Sequence, residues 1–275
     1  MILTAALCAA LLARFAPGFG VDEREIDPSL GSASVQRIRA ARNAGGDLPH
    51  YLLTYAVRLS KGDFGYSVTL NEPVAALITE RLPATAIELR NALLGSAAAA
   101  FAFAVLALAL NWPAVDTVLL AFGTLLLCIP AGLLGYLALW WRLSSAWVLG
   151  AAVFPHLFRY TFHLLKNARE SSHVPFARSR GLSALRTHAA HVLFPCVSEM
   201  LAAAGMSASI AFGASIPVEC VTNTPGIGQL AWQAASSRDF PLLIAITILG
   251  STFVLAVDLG TDLARGAFRL EEAQI

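Results

Sequence analysis

An all-α protein that crosses a membrane several times is the fold class this sequence predicts, on three observations. Of its 275 residues 57% are hydrophobic and 13% charged, where a soluble domain carries about 25% charged residues. The mean hydropathy is +0.65. Beyond Pro83 the chain also runs through successive apolar stretches, each as long as the roughly 20 residues a helix needs to cross the hydrocarbon core.

The elements follow in order. Met1 to Ala13 is apolar, without a basic start or a convincing cleavage site for a secretory signal. It is too short to cross alone, so residues 1–14 are expected to be a partial or truncated first transmembrane segment. From Asp22 to Arg81 the sequence is polar, mixed in charge and dotted with Gly, Pro and Asn. Residues 15–83 are therefore expected outside the membrane, with a short helix over Asp47–Leu59, where Leu48, Leu52, Tyr55 and Leu59 keep helical spacing. The membrane core is expected over 84–275. Its spans are Ala84–Leu110, closed by Asn111-Trp112-Pro113, then Ala114–Trp141 with Pro130 inside it, Ser144–Leu165, Ala189–Ile216 and Phe240–Leu263. About six transmembrane helices result, the first one short.

Charge in the short loops sets the orientation. Lys166, Arg169, Arg178, Arg180 and Arg186 stand against the single acid Glu170, so the 166–188 loop should face the cytoplasm. Counting outward puts the long early segment and the 217–239 loop outside and the C-terminal tail inside. Trp140, Trp141 and Trp147 bracket one external turn as an interfacial belt. The 111–113 turn carries no Lys or Arg to mark it as internal.

Within the basic loop, Ser171 and Ser172 can cap a helix whose first turn holds Pro175, where a missing N–H costs nothing. Val174, Ala177 and Gly181 then share one face, Gly181 stops the helix, and Ser183 caps the next one. This is either a basic surface loop that satisfies topology or a docking helix for a cytoplasmic partner.

The segment Phe176-Ala177-Arg178-Ser179-Arg180-Gly181-Leu182-Ser183, followed by Phe194-Pro195, resembles the cytoplasmic loop of binding-protein-dependent permeases of ATP-binding-cassette importers. Its Ala177–Ser183 portion is similar to the form found in dipeptide, oligopeptide and nickel permeases. Further matches to that family run in order: Arg14-Phe15-Ala16-Pro17-Gly18, Gly62-Asp63-Phe64-Gly65-Tyr66-Ser67, Pro73-Val74, Arg81-Leu82-Pro83-Ala84-Thr85, Ile129-Pro130, Thr224-Pro225-Gly226-Ile227-Gly228 and Arg238-Asp239-Phe240-Pro241. The pattern departs at Ser172 and His173, where the family carries an acid. The resemblance implies a permease subunit translocating di- or oligopeptides, with 176–183 as the ATPase-coupling loop. It also implies two cytoplasmic ATP-binding subunits, a second permease subunit in a heterodimer, an external substrate-binding protein and the surrounding membrane lipid as partners.

Polar groups inside the spans are the remaining candidates, since a charge at a helix centre costs about 2.5–3.5 kcal/mol. Glu199 either faces the translocation path or is a hydrogen-bonded structural carboxylate. Gly205, Ser209 and Gly213 recur every four residues, a face that either packs closely on a neighbouring helix or lines the passage. Arg159, His156 and His163 share one side of their span; two imidazoles without a third ligand make a weak metal site. Cys8, Cys128, Cys196 and Cys220 have no metal-ligand spacing. A net charge of +1 gives no reason for a nucleic-acid partner. No phosphate-binding Gly-x-x-x-x-Gly-Lys-Ser/Thr loop, nucleophile elbow or His-Glu-x-x-His helix occurs. The expectation is thus a transport subunit with no catalytic residues, cofactor or metal. A proton-coupled secondary transporter using Glu199, or a non-transporting scaffold subunit, are the other readings.

Overall fold

The computed structural model describes residues 63–67, 69–171, 174–175, 179 and 183–272. The expected first transmembrane segment, most of the outer segment and the short helix over Asp47–Leu59 lie outside the described residues. Among the described residues there is no strand, only an isolated antiparallel bridge between Tyr66 and Pro73. The helices are α1 (Val74–Leu110), α2 (Pro113–Leu127), α3 (Ala131–Trp140), α4 (Ser145–Glu170), α5 (Ala184–His188), α6 (Phe194–Thr222), α7 (Ile227–Ser236) and α8 (Phe240–Glu272). A π-helical turn, Ala189–Leu193, joins α5 to α6.

Two compact units divide these residues: one holds 63–80 with Gln233–Leu249, the other Arg81–Trp232 with 250–272. In the first, a tight turn leads into α1. Gly65 and Asn71 take the left-handed backbone conformation, and the Val74 N–H donates to the Gly65 carbonyl at 3.0 Å. Asp239 fastens this turn to the start of α8. Its carboxylate accepts the Ser67 hydroxyl at 2.5 Å, the Thr69 N–H at 3.0 Å and the Leu242 N–H at 3.3 Å. Two motifs far apart in sequence, one ending at Ser67 and the other Arg238–Pro241, therefore meet in one structural joint.

In the second unit α4 is the hub, packing against α2, α3 and α6. Leu149, Val153, Leu157, Phe158, Phe162 and Leu165 recur at helical spacing on its buried face. Ala92, Ala100, Ala104 and Ala107 of α1 belong to the same core. Their small side chains allow close approach, and the Ser96 hydroxyl reaches the Gly150 carbonyl at 2.9 Å. Phe154 stacks on Phe158 with ring centres 5.6 Å apart, and Phe103 meets Phe154 edge-on at 5.8 Å.

Among the described residues three helices are each long and apolar enough to cross a membrane: α1, the run Arg186–Thr222 and Phe240–Phe268 of α8. α1 begins ten residues before the expected Ala84 and contains Pro83. Its 37 residues make it about 55 Å long, well beyond the hydrocarbon thickness of about 30 Å. α4 has the expected length but carries His156, Arg159, His163 and Lys166 along its surface. A helix sheltered by three neighbours tolerates that polarity better than one bathed in lipid.

The expected span Ala114–Trp141 is not one continuous helix. α2 and α3 are separate helices, bent by 96° at the break. Pro130 takes an extended conformation with φ −58° and ψ 140°, and a proline steers the residue before it away from helical geometry. With 15 and 10 residues, each piece is shorter than the roughly 30 Å core. Hydrogen bonds place the two outer ends of the pair at different levels of the bundle. At one end Lys166 near the end of α4 pairs with Asp116 of α2 at 3.3 Å, and Arg169 donates to the Leu108 carbonyl of α1 at 2.6 Å. At the other end the Ser145 hydroxyl, where α4 begins, bonds to Glu88 of α1. Residues 88 and 108 lie about 30 Å apart along α1, so α2 and α3 connect one level to the other. The same contacts bring the 111–113 turn level with the basic loop, which supplies the positive charge the turn lacks.

Candidate functional site

The candidate coupling segment begins where α4 ends. The Ser171 hydroxyl donates back to the Ala168 carbonyl at 2.6 Å and so closes α4. Val174 and Pro175 are helical, with Val174 buried and Pro175 exposed, and Ser179 is helical and exposed. Phe176, Ala177, Arg178, Arg180, Gly181 and Leu182 lie outside the described residues. Ser183 stands where a cap was expected: its hydroxyl accepts the Arg186 N–H at 3.4 Å and its carbonyl the Thr187 N–H at 2.9 Å.

Glu199 is a hydrogen-bonded carboxylate. Arg265 of α8 donates to it at 2.9 Å and the Tyr160 hydroxyl of α4 at 3.2 Å. One carboxylate thus ties α4, α6 and α8 together at a half-exposed position. Asp262 lies 3.8 Å from the same guanidinium.

The small-residue face of α6 divides. A Cβ at Gly205 would come within 2.4 Å of the Thr261 methyl, so this glycine lets α6 and α8 touch. A Cβ at Gly213 would meet nothing within 4 Å, and the residue is exposed. Ser209 is half-buried, its hydroxyl directed to the Gly205 carbonyl at 3.4 Å. Arg159 and His163 are exposed on α4, and among the described residues no three metal-ligating side chains converge.

The most developed polar centre is one the sequence reading passed over. Glu219, at the far end of α6 from the basic loop, is fully buried. It accepts the Thr85 hydroxyl at 2.7 Å, the Gly228 N–H at 2.7 Å and the Gln229 N–H at 3.2 Å. Thr85 in turn accepts the Ile227 N–H at 2.8 Å. The donors are the orphan N–H groups of the first turn of α7, so Glu219 and Thr85 together cap that helix. Asn223, with φ 53°, ends α6 and turns the chain back toward them. The fit leaves no room at Gly226, where a Cβ would lie 2.2 Å from a Glu219 oxygen, or at Gly228, where it would lie 2.7 Å from the Ser215 backbone. Arg81 extends the network, donating to the Gln229 side chain at 3.2 Å, which donates to Asn223 at 2.7 Å. Two further motifs, Arg81–Thr85 and Thr224–Gly228, are thereby joined. The available signal was a carboxylate in an apolar run just ahead of a Pro-Gly turn.

The architecture is thus a set of long apolar helices with a sharply bent helix pair, a basic loop at one level and a capped turn at the other. The family described as "Binding-protein-dependent transport system inner membrane component" matches residues 101–269, more than half of the chain. The chain belongs to that family, and is an inner-membrane permease component of an ATP-binding-cassette importer rather than an enzyme. It is 25% identical to a probable peptide ABC transporter permease protein, y4tP, of Sinorhizobium fredii, over 92% of this chain and 89% of that protein. It is 26% identical to a putative peptide permease protein of Brucella ovis, over 96% and 92%. The glutathione transport system permease protein GsiC of Escherichia coli K12 is 24% identical, over 87% and 84%.

Proposed function

We propose that this chain forms half of the membrane passage of a short-peptide importer. A sister permease supplies the other half, two cytoplasmic ATP-binding subunits drive it, and an external binding protein delivers the substrate. The observation that carries this reading is the likeness, over most of the chain, to relatives named for peptide and glutathione transport; glutathione is itself a tripeptide. In this layout residues 1–14 belong to a first span, 15–83 are external, and 84–275 form the core.

Positive charge favours the cytoplasm for the 166–188 loop. There Phe176 to Ser183 is gripped by an ATP-binding subunit. When ATP closes the pair of ATPases, the grip moves this segment, and α4 and α5 on either side carry the movement into the spans. Access to the passage then alternates between two states biased by partner contacts. Ser209 and Gly213 face the passage, where small residues leave room for a peptide. Gly205 allows the α6–α8 contact behind them, and Glu199 holds the inner ends of three helices together.

The test is reconstitution of the full complex in liposomes with labelled di- and tripeptides, and with glutathione as comparison. ATP-dependent uptake is expected, and Gly181→Asp or Arg178→Glu should abolish substrate-stimulated ATPase activity while the permease still inserts. Uptake driven by a proton gradient without the ATPases would establish secondary transport instead. Stimulated ATPase activity without uptake of any peptide would leave a scaffold subunit, and normal stimulation in both variants would remove the coupling role.

A further inference from the structure

The geometry points to a binding site for one anionic phospholipid in a cavity at the basic end of the bundle, between α1, the end of α4 and the π-helical turn. The cavity measures about 500 Å³. Its deeper wall is apolar: Phe101, Val105 and Leu108 on α1 face Val192 and Leu193 across it. Its rim carries the guanidinium of Arg169 from α4 and the imidazole of His188 from α5. That polarity runs in the sense of an inner-leaflet lipid, acyl chains toward the span and headgroup toward the basic loop.

Three further features favour an anionic headgroup. Arg169 uses one N–H group on the Leu108 carbonyl, which anchors the guanidinium at the rim. Its other donors have no partner, and no carboxylate lies within ion-pair distance of it, among the described residues. The nearby Lys166 is already paired with Asp116, so Arg169 carries the uncompensated charge. Basic pockets between transmembrane helices on the cytoplasmic side suit acidic headgroups; a choline lipid offers the same phosphate, but its quaternary ammonium cancels the net charge and weakens the attraction. The wall itself is unusual, since the Phe194 N–H bonds to the Ala189 carbonyl five residues back. Single π-turns of this kind occur frequently at functional sites.

The site is independent of which peptide is carried. The full chain would be purified, placed in nanodiscs of equal phosphatidylglycerol and phosphatidylcholine, and its retained lipid counted by native mass spectrometry. Wild type should hold one phosphatidylglycerol in clear preference. Arg169→Gln should lose about fivefold in that preference, the factor matching about 1 kcal/mol for a basic group near an anionic surface. Arg169→Lys should keep most of it, which separates charge from any loss of fold. Val105→Trp, which fills the cavity without altering charge, should release the lipid whatever its headgroup. Soluble glycerol 3-phosphate should fail to displace it. Equal retention of both lipids by wild type would overturn the site, as would an unchanged preference in Arg169→Gln or retention by Val105→Trp. Displacement by glycerol 3-phosphate would make it a free-anion site. Lack of any retained lipid would overturn the lipid site as well.

Discussion

Replacing Glu219 with alanine removes the acceptor for three donors at once: the Thr85 hydroxyl and the N–H groups of Gly228 and Gln229. Thr85 and the Gly228 N–H are buried, and each buried donor left without a partner costs about 1–3 kcal/mol. The longer 3.2 Å bond from Gln229 belongs at the low end. Losing the isolated carboxylate recovers part of its own burial cost, so the expected destabilisation of Glu219→Ala is about 3–5 kcal/mol. Glu219→Gln keeps the shape and one carbonyl oxygen. That oxygen can still serve the two backbone donors, while the amide takes up Thr85 with its hydroxyl redirected, so the cost should fall to about 1 kcal/mol. Thr85→Val leaves the Ile227 N–H and one carboxylate oxygen unserved and should fall between the two. Unfolding in mixed micelles with increasing SDS, followed by helix content, gives the ranking. Trp232, more than half exposed on α7, reports local release of that helix by its fluorescence. An alanine variant within 1 kcal/mol of wild type, or a glutamine variant as damaged as the alanine one, would refute the capping role.

The glycines make a paired test. Gly228→Ala should destabilise because the new methyl meets backbone of α6 that cannot rotate away, whereas Gly213→Ala meets open space and should stabilise by up to about 1 kcal/mol; thermal melts of both variants decide. Gly213→Leu should leave melting near wild type yet reduce peptide uptake, and unchanged uptake would take Gly213 out of the passage. Gly205→Ala should loosen α6 from α8, and Thr261→Ala in the same chain should restore much of the lost stability. For Glu199 and Arg265, about three-tenths exposed, a double-mutant cycle should give a coupling below about 1 kcal/mol, and a value several times larger would show the pair to be better shielded than its exposure implies.

Composition was enough for the class, because a chain this apolar must satisfy its backbone within helices. Helix ends marked by local chemistry were legible too: Asn111-Trp112-Pro113 closes α1 and opens α2 where expected, and Ser183 opens α5. Prolines misled in both directions. Pro83 looked like a boundary but is carried inside α1, while Pro130 looked tolerable but divides α2 from α3. Whether neighbours hold the chain straight past a proline is a tertiary matter that local spacing does not contain. The Glu219 and Asp239 joints escaped for a related reason. Their partners are backbone N–H groups and hydroxyls, up to 172 residues away in the case of Ser67. The cost of a carboxylate in an apolar run, used to single out Glu199, applied with equal force to Glu219 and Glu88.

The distance along the chain between Thr85 and Glu219, 134 residues, bears on biogenesis. At roughly 5–20 residues per second, the ribosome needs on the order of ten seconds to deliver the acid after the threonine has emerged. Throughout that interval α1 must wait in the bilayer with its far end unfastened, exposed to quality-control proteases. Chains that stall before Glu219 should accordingly be cleared much faster than chains that stall just after Gln229.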